Sequence, residues 1–226
     1  MSITLEQLRL RSRQKADRET SQFVEDPELD TMINSSIAEL HDLLVMANSA
    51  DYAVSEHSFT TVVNTNAYAL PADFYKLKGV DAQIQLGQWY TLRPFNFNER
   101  NRNDNVVSWA LIYGPSIRYR LLGDNIVFSP SPDSNVPVKI WYTPLAPVLV
   151  DPSDTLKDLN SFSEYVIVDV AIKYLQKEES DVSVLMQQKA DLKRRIEIMA
   201  NNRDEGNGEC ISDIYAENSD YWFGRT

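Results

Sequence analysis

Carboxylates dominate the side chains of this sequence that could do chemistry, and they gather at two places, Asp151/Asp154/Asp158 and Glu178/Glu179/Asp181. Such groups suit a hard cation, which takes oxygen ligands. A calcium loop needs D-x-[DN]-x-[DN]-G spacing to wrap its ligands around the ion, and neither cluster has it. Both flank expected helix ends, where a carboxylate stabilises unpaired backbone amides, so a structural role is the expectation for each. A carboxylate pair of nuclease or glycosidase type, with members distant in the chain, is left open by the sequence. Nucleophilic catalysis would fall to Cys210, the one cysteine, with His57 brought to it in space as a base. Cys210 belongs to a stretch without hydrophobic period, which argues against that pairing. No G-x-x-x-x-G-K-[ST] loop and no G-x-S-x-G elbow occurs, and seven glycines leave no phosphate cradle. One cysteine excludes an intramolecular disulfide, and two histidines leave little for a zinc site. No catalytic residue, metal or cofactor is expected.

The elements that would position these groups follow from the hydrophobic period. From Asp26 to about Asn48 the period is helical: Leu29, Met32, Ile33, Ile37, Leu40, Leu43 and Leu44 fall three or four apart on one stripe. Asp26 reads as the N-cap and Pro27 as the first helical residue, where no N–H is needed. His41, at the stripe's edge, reads as a packed or surface side chain. A shorter helix is expected from Thr4 to Asp17, with Leu5 and Leu8 on one side. Ser161-Phe162-Ser163-Glu164 fits a capping box. The residues that follow, Tyr165 to Leu175, are apolar nearly all round, broken by Asp169 and Lys173 at a pairing distance of i,i+4. That helix should be central. Asp181 would cap a last helix with the stripe Leu185, Leu192, Ile196 and Met199.

Between about Ser58 and Thr143 the period is that of strands. Gly87-Gln88 and Gly123-Asp124 each separate two strand-like runs, as tight hairpin turns do. Ile117, Tyr119 and Leu121 alternate with Arg118 and Arg120, and Val138 to Tyr142 repeats the alternation, so each strand should have one buried face. Pro130, Pro132 and Pro137 mark a loop that cannot lie inside a ladder. The spacing suggests a small sandwich or barrel.

The fold class expected is therefore α+β: a helical body built from residues 1–57 and 144–202, a small antiparallel β-module inserted at 58–143, and an extended tail at 203–226. The net charge is −11. It is unevenly placed, because residues 58–143 carry eight basic and six acidic side chains and the rest fourteen against twenty-seven. So acidic a chain is unsuited to gripping nucleic acid through its phosphates, which takes a basic surface. The first residues have no apolar core of signal-peptide length, and no apolar run approaches the ~20 residues that span a bilayer. Composition points to an intracellular protein with no membrane partner.

Two stretches suggest contacts. Arg9, Arg11, Arg13 and Arg18, with Lys15 among them, form a basic run that reads either as a contact for an acidic partner or as a solvated helix face. Tyr221-Trp222-Phe223 closes the acidic tail, and aromatic anchors commonly supply binding energy in a partner's pocket. A tail that folds back on its own body is the other reading, and the sequence leaves both open. Trp89, Tyr90, Trp109, Tyr113, Trp141 and Tyr142 fall on expected strands, where cross-strand packing is the default use.

Three segments go beyond patterning. Tyr68-Ala69-Leu70-Pro71-Ala72-Asp73-Phe74-Tyr75-Lys76-Leu77-Lys78-Gly79-Val80-Asp81 reads as strand, turn, one helical turn and strand; Trp89 to Arg102 follows it, and Phe23-Val24-Glu25-Asp26-Pro27-Glu28-Leu29 opens a helix. With these, roughly residues 5 to 215 resemble the head-to-tail adaptor (neck, or connector) proteins of tailed bacteriophages. The resemblance implies a non-enzymatic virion protein of the neck, assembled in the host cytoplasm as a homo-oligomeric ring of twelve copies. Its partners would be the portal above and tail or nozzle proteins below, with DNA passing through the channel without specific binding. It also implies a C-terminal segment that reaches the portal, which gives Ile211, Ile214, Tyr215, Tyr221, Trp222 and Phe223 an anchoring role. The subunit contacts would then use Arg9, Arg11, Arg13 and Arg18. A carboxylate-dependent virion hydrolase, and a tail component that binds proteins through the β-module, are the alternatives.

Overall fold

A computed structural model describes residues 2–20, 23–46, 53–85, 87–99, 117–157 and 161–201. Within them the chain has an α+β fold with two separate hydrophobic cores, one among helices and one between sheets.

The helical core is organised around α3 (Ser163–Lys177), on which α1 (Leu5–Lys15), α2 (Asp26–Met46) and α4 (Ser183–Asn201) all pack. Eleven of the fifteen α3 residues are buried, so the helix is central, as its all-round apolar sequence requires. Each fully buried side chain such as Val166 or Val170 contributes roughly 1.5–3 kcal/mol of transfer free energy. From α2 the stripe Leu29, Ile33, Ile37 and Leu40 enters this core, and from α1 Leu5 and Leu8.

The start of α1 shows how its exposed amides are satisfied. Gln7 N donates to Thr4 Oγ1 at 3.2 Å and Thr4 N to Gln7 Oε1 at 3.3 Å, a reciprocal capping box. Leu5 N and Glu6 N reach the carbonyls of Asp154 and Pro152 at 2.9 and 3.2 Å. Strand β1 (Ser2–Thr4) pairs antiparallel with β10 (Thr155–Lys157), which ties the N-terminal helix to the connector before α3.

The second core lies between two four-stranded sheets. One has the order β2 (Ser55–Thr60), β9 (Pro137–Pro144), β4 (Phe74–Gln85), β5 (Gln88–Thr91), and is antiparallel. The other has the order β3 (Ala67–Ala69), β8 (Asn125–Ser129), β7 (Arg118–Leu122), β6 (Arg93–Pro94), in which only β6 runs parallel to its neighbour. Val80, Val138, Ile140 and Tyr142 from the first meet Tyr119, Ile126 and Phe128 from the second. Phe59, Tyr68 and Phe128 cluster with centroids 4.9–6.4 Å apart, and the Tyr68 hydroxyl finds its partners on the turn beside it, Val62 N and Thr65 O. The expected alternation of buried and wet faces is present in β7 and β9.

Local expectations fail in five places. Ser161 does not cap α3: its φ is +62°, the helix begins after Phe162, and Phe162 as the N-cap makes no side-chain bond to the first amides. Asp26 is the first residue of α2, and its carboxylate turns to Arg13 and Arg9. The first hairpin closes one residue earlier than Gly87-Gln88, because Gln85 pairs with Gln88 and Gly87 takes the second loop position at φ +81°. After Pro71 a single turn, Phe74 N to Pro71 O at 3.0 Å, leads straight into β4 without a helical turn. Met199 is exposed, leaving Leu185, Leu192 and Ile196 as the inward stripe of α4. The Gly123-Asp124 turn is as expected, with Leu122 opposite Asn125 and Gly123 at φ +57°.

Candidate functional site

The most elaborate polar arrangement lies where α4 rests on α2 and α3. Asp169 interrupts the apolar sequence of α3, and its side chain is 3% exposed. It accepts from Ser36 on α2 at 2.5 Å, from Lys173 one turn on at 2.8 Å, and from Lys189 on α4 at 2.7 Å. Lys189 also donates to Glu39 of α2 at 2.9 Å, which in turn accepts from the Tyr165 hydroxyl at 2.8 Å. Lys173 reaches Ser36 as well, at 2.8 Å. Two carboxylates and two ammonium groups thus close a neutral network that joins three helices and lines a cavity of ≈ 460 Å³.

Burial alone would raise the Asp169 pKa, but hydrogen bonds from Lys173, Lys189 and Ser36 outweigh it and hold the carboxyl below its ordinary value. For Lys189, burial pulls down and the bonds to Asp169 and Glu39 push up, and the net is a raised pKa. Burial and the bond to Glu39 raise Tyr165. General acid–base catalysis needs groups moved toward the working pH. Here Asp169, Lys189 and Tyr165 are moved away from it. The arrangement can hold a helix in place by charge; it is not poised to transfer a proton.

A second polar region covers the outer face of the β2-β9-β4-β5 sheet. Lys139 Nζ lies 4.9 Å from the Trp89 ring centroid and 5.8 Å from that of Trp141, and pairs with Glu56 at 2.9 Å. That bond, with one from Ser58, lowers the Glu56 pKa. Trp141 Nε1 donates to Asp81 at 2.7 Å, and Thr91 holds the other Asp81 oxygen at 2.8 Å. Cross-strand packing therefore uses Trp141, while Trp89 stays 43% exposed at the sheet edge. Tyr90 is half-buried, its hydroxyl donating to Gln88, and the buried Tyr142 bonds Asp73. Trp109 and Tyr113 lie outside the described residues.

A third cluster joins α2 to the strands. Tyr75 of β4 donates to Asp42 at 2.9 Å and stacks edge-on against His41 at 5.6 Å. His41 hydrogen-bonds the Pro144 carbonyl, so it is a packed histidine.

The residues singled out from sequence are dispersed. Arg9 grips Asp30 through two bonds of 2.6 Å, Arg13 reaches Asp26 at 2.8 Å, and Arg18 reaches Glu178 at 2.9 Å. Arg11 is exposed, with no ion pair among the described residues. Asp154 accepts from Val150 N and Asp151 N at 2.8 and 2.9 Å, which holds its carboxyl low and shapes the turn before β10. Asp181 accepts from Ser183 N at 2.9 Å and caps α4. Asp158, Cys210, Ile211, Ile214, Tyr215, Tyr221, Trp222 and Phe223 lie outside the described residues. His57 packs beside Phe59 at 5.9 Å. Among the described residues no three His, Cys, Asp or Glu side chains are grouped to hold a metal ion, and no helix is long and apolar enough to cross a membrane. Ser36, Glu39 and Lys189 were not anticipated; the signal for Ser36 is a polar residue inside the apolar stripe of α2.

Among the described residues these three arrangements seat helices and sheets on one another. No curated protein sequence matches the chain. The SU10 adaptor protein family model matches residues 3–209, nearly the whole sequence, and the chain accordingly belongs to that family of structural bacteriophage adaptors.

Proposed function

We propose that this protein is one subunit of a head-to-tail adaptor ring, twelve copies mounted on the portal, extending the DNA channel and receiving the tail. The observation that carries the reading is the family match across residues 3–209. The build supports it. A central helix buried on all sides and latched by charge gives a rigid body, and the sandwich is tied to it through Tyr75, Asp42 and His41. Rigid bodies suit a part that transmits load and performs no bond-breaking.

The charge fits a channel subunit. Outside residues 58–143 acidic side chains outnumber basic ones by twenty-seven to fourteen, and phosphate contacts strong enough to bind duplex would stall its passage. Like-charge repulsion keeps DNA moving. Of the four arginines considered for subunit contacts, Arg11 alone has no ion pair among the described residues, which leaves it to a neighbour in this reading; Arg9, Arg13 and Arg18 hold their own chain together. Ile211, Ile214, Tyr215 and the Tyr221-Trp222-Phe223 run are assigned to the portal.

Electron microscopy of the purified protein mixed with its portal tests the reading. A closed ring stacked on the portal is expected. A chain that stays monomeric and unattached at micromolar concentrations of both would overturn it. For the tail, amide hydrogen exchange beyond Asn201 should slow when portal is added; unchanged exchange would remove the anchoring role.

A further inference from the structure

Most cations of the helices serve inside the chain. Arg9, Arg13, Arg18, Lys177 and Lys189 each reach a carboxylate of their own chain. Lys193, Arg194 and Arg195 differ. They are consecutive on α4, all exposed, and none forms an ion pair among the described residues. The helix dipole does not account for them, since it acts on the last turn and the last turn of α4 holds no basic residue. Around them α4 is barely covered. Of its residues with described side chains only Ile196 and Ala200 are buried, while Ile198 is 52% and Val184 68% exposed.

Exposed carboxylates gather at the start of the same helix and on the segment between α1 and α2. Asp17, Glu19, Glu25, Glu179 and Asp181 are exposed and without ion pairs among the described residues. Their segments are drawn together by Arg18 on Glu178 at 2.9 Å and Lys177 on Glu28 at 2.6 Å. Asp181 caps α4, so twelve residues separate it from Lys193, about 18 Å at the rise of an α-helix. That exceeds the screening length at physiological salt. Asp181 and its neighbour Glu179 therefore cannot neutralise these cations within one copy.

We infer that the α4 cations Lys193, Arg194 and Arg195 of one copy seat against the carboxylates at 17–25 and 179–181 of the next, with Ile198 covered at the same contact. Two different patches that mate head to tail form a heterologous interface, which closes into a ring when the rotation allows. The inference rests on the ring reading and names its subunit surface. It also explains how copies carrying eleven negative charges each can associate at all.

The test uses the full chain in sedimentation velocity and native mass spectrometry. Arg194→Glu with Arg195→Glu forms one variant, and Glu19→Lys with Glu25→Lys the other. Each alone should weaken self-association by about tenfold or more, and the wild-type association should fall with salt. An equimolar mixture of the two variants should assemble again, because alternating copies restore opposite charges at every contact. Misfolding could not produce that rescue. If each variant assembles like wild type, this contact is wrong and the ring reading stands. A wild-type chain that never assembles, with or without portal, overturns both. Salt-dependent binding of duplex DNA that Arg194→Glu with Arg195→Glu abolishes would assign the cations to nucleic acid and overturn the inference alone.

Discussion

Lys189 of α4 lies 2.7 Å from Asp169 of α3, a carboxylate that is 3% exposed, and this charge pair binds the last helix to the central one. Few apolar side chains of α4 are buried, so the pair and its neighbours Glu39 and Ser36 carry much of the seating. Asp169→Ala should cost about 3–5 kcal/mol, since it removes the buried carboxylate that Ser36, Lys173 and Lys189 share and leaves Lys173 to hydroxyl partners and Lys189 to Glu39. Lys189→Met should cost less, about 1–3 kcal/mol, because Lys173 and Ser36 still serve Asp169 and the side chain is a quarter exposed. Urea denaturation of the three proteins measures both values. Equal losses would mean that Asp169 is not the centre of the network.

The same pair sets an acid limit. The folded Asp169 pKa is depressed, so its stabilising contribution is complete above the unfolded value, near 4. It is lost as the pH falls from there through the folded value, where the native state must at last take up the proton that the unfolded chain already holds. Stability should therefore be level in this respect down to about pH 4 and decline below it. Asp169→Asn should be less stable at neutral pH and show a shallower decline. Thermal melts between pH 3 and pH 7 give the comparison; parallel curves would remove Asp169 as the cause.

The sequence made the period of α2 and the centrality of α3 plain, because both depend on side chains of one segment facing one way. Gly123-Asp124 was legible for the same reason. Caps were less so. Ser161 carries a suitable hydroxyl, but its backbone enters the left-handed region and directs the chain elsewhere, and Asp26 is claimed by Arg13 from another helix. Tertiary partners outcompete local hydrogen bonds, and only the fold says where those partners are. The polar network was half visible: Asp169 and Lys173 are four apart, whereas Ser36, Glu39 and Lys189 come from helices distant in the chain. Which arginines are free for a neighbour was invisible, since that depends on every internal pairing being known.

Two glycines should respond in opposite directions. Gly79, inside β4, lies outside the left-handed φ range and has open space where a Cβ would stand. Gly79→Ala should be neutral or stabilising by about 0.4–1 kcal/mol, through the smaller entropy of the unfolded chain. Gly123 has open space too, but its φ of +57° is costly for any L side chain. Gly123→Ala should lose about 1–2 kcal/mol. Melting temperatures of the pair decide, and a loss at Gly79 would mean that the register shift between Leu77 and Gly79 in β4 uses glycine's backbone freedom.

The joint between helices and strands should weaken in mild acid. Burial lowers the His41 pKa below 6.5, against weaker upward pulls from Asp42 and the Pro144 carbonyl. Its Nε2 is buried and has no hydrogen-bond partner among the described residues, so an imidazolium there would carry one N–H that none of them accepts. The unfolded chain protonates at about 6.5 and the folded chain at a lower pH. Between those values the unfolded state binds more protons, so stability rises with pH and is lost as the pH falls from 6.5 through the folded value. Melts at pH 7.5 and 5.5 should show this loss in wild type and a smaller one in His41→Phe, which keeps a ring against Tyr75 without a titrating nitrogen. His57, the other histidine, is controlled by His57→Gln. If His57→Gln rather than His41→Phe removes the dependence, the titrating group lies in the sandwich and the joint is indifferent to pH in this range.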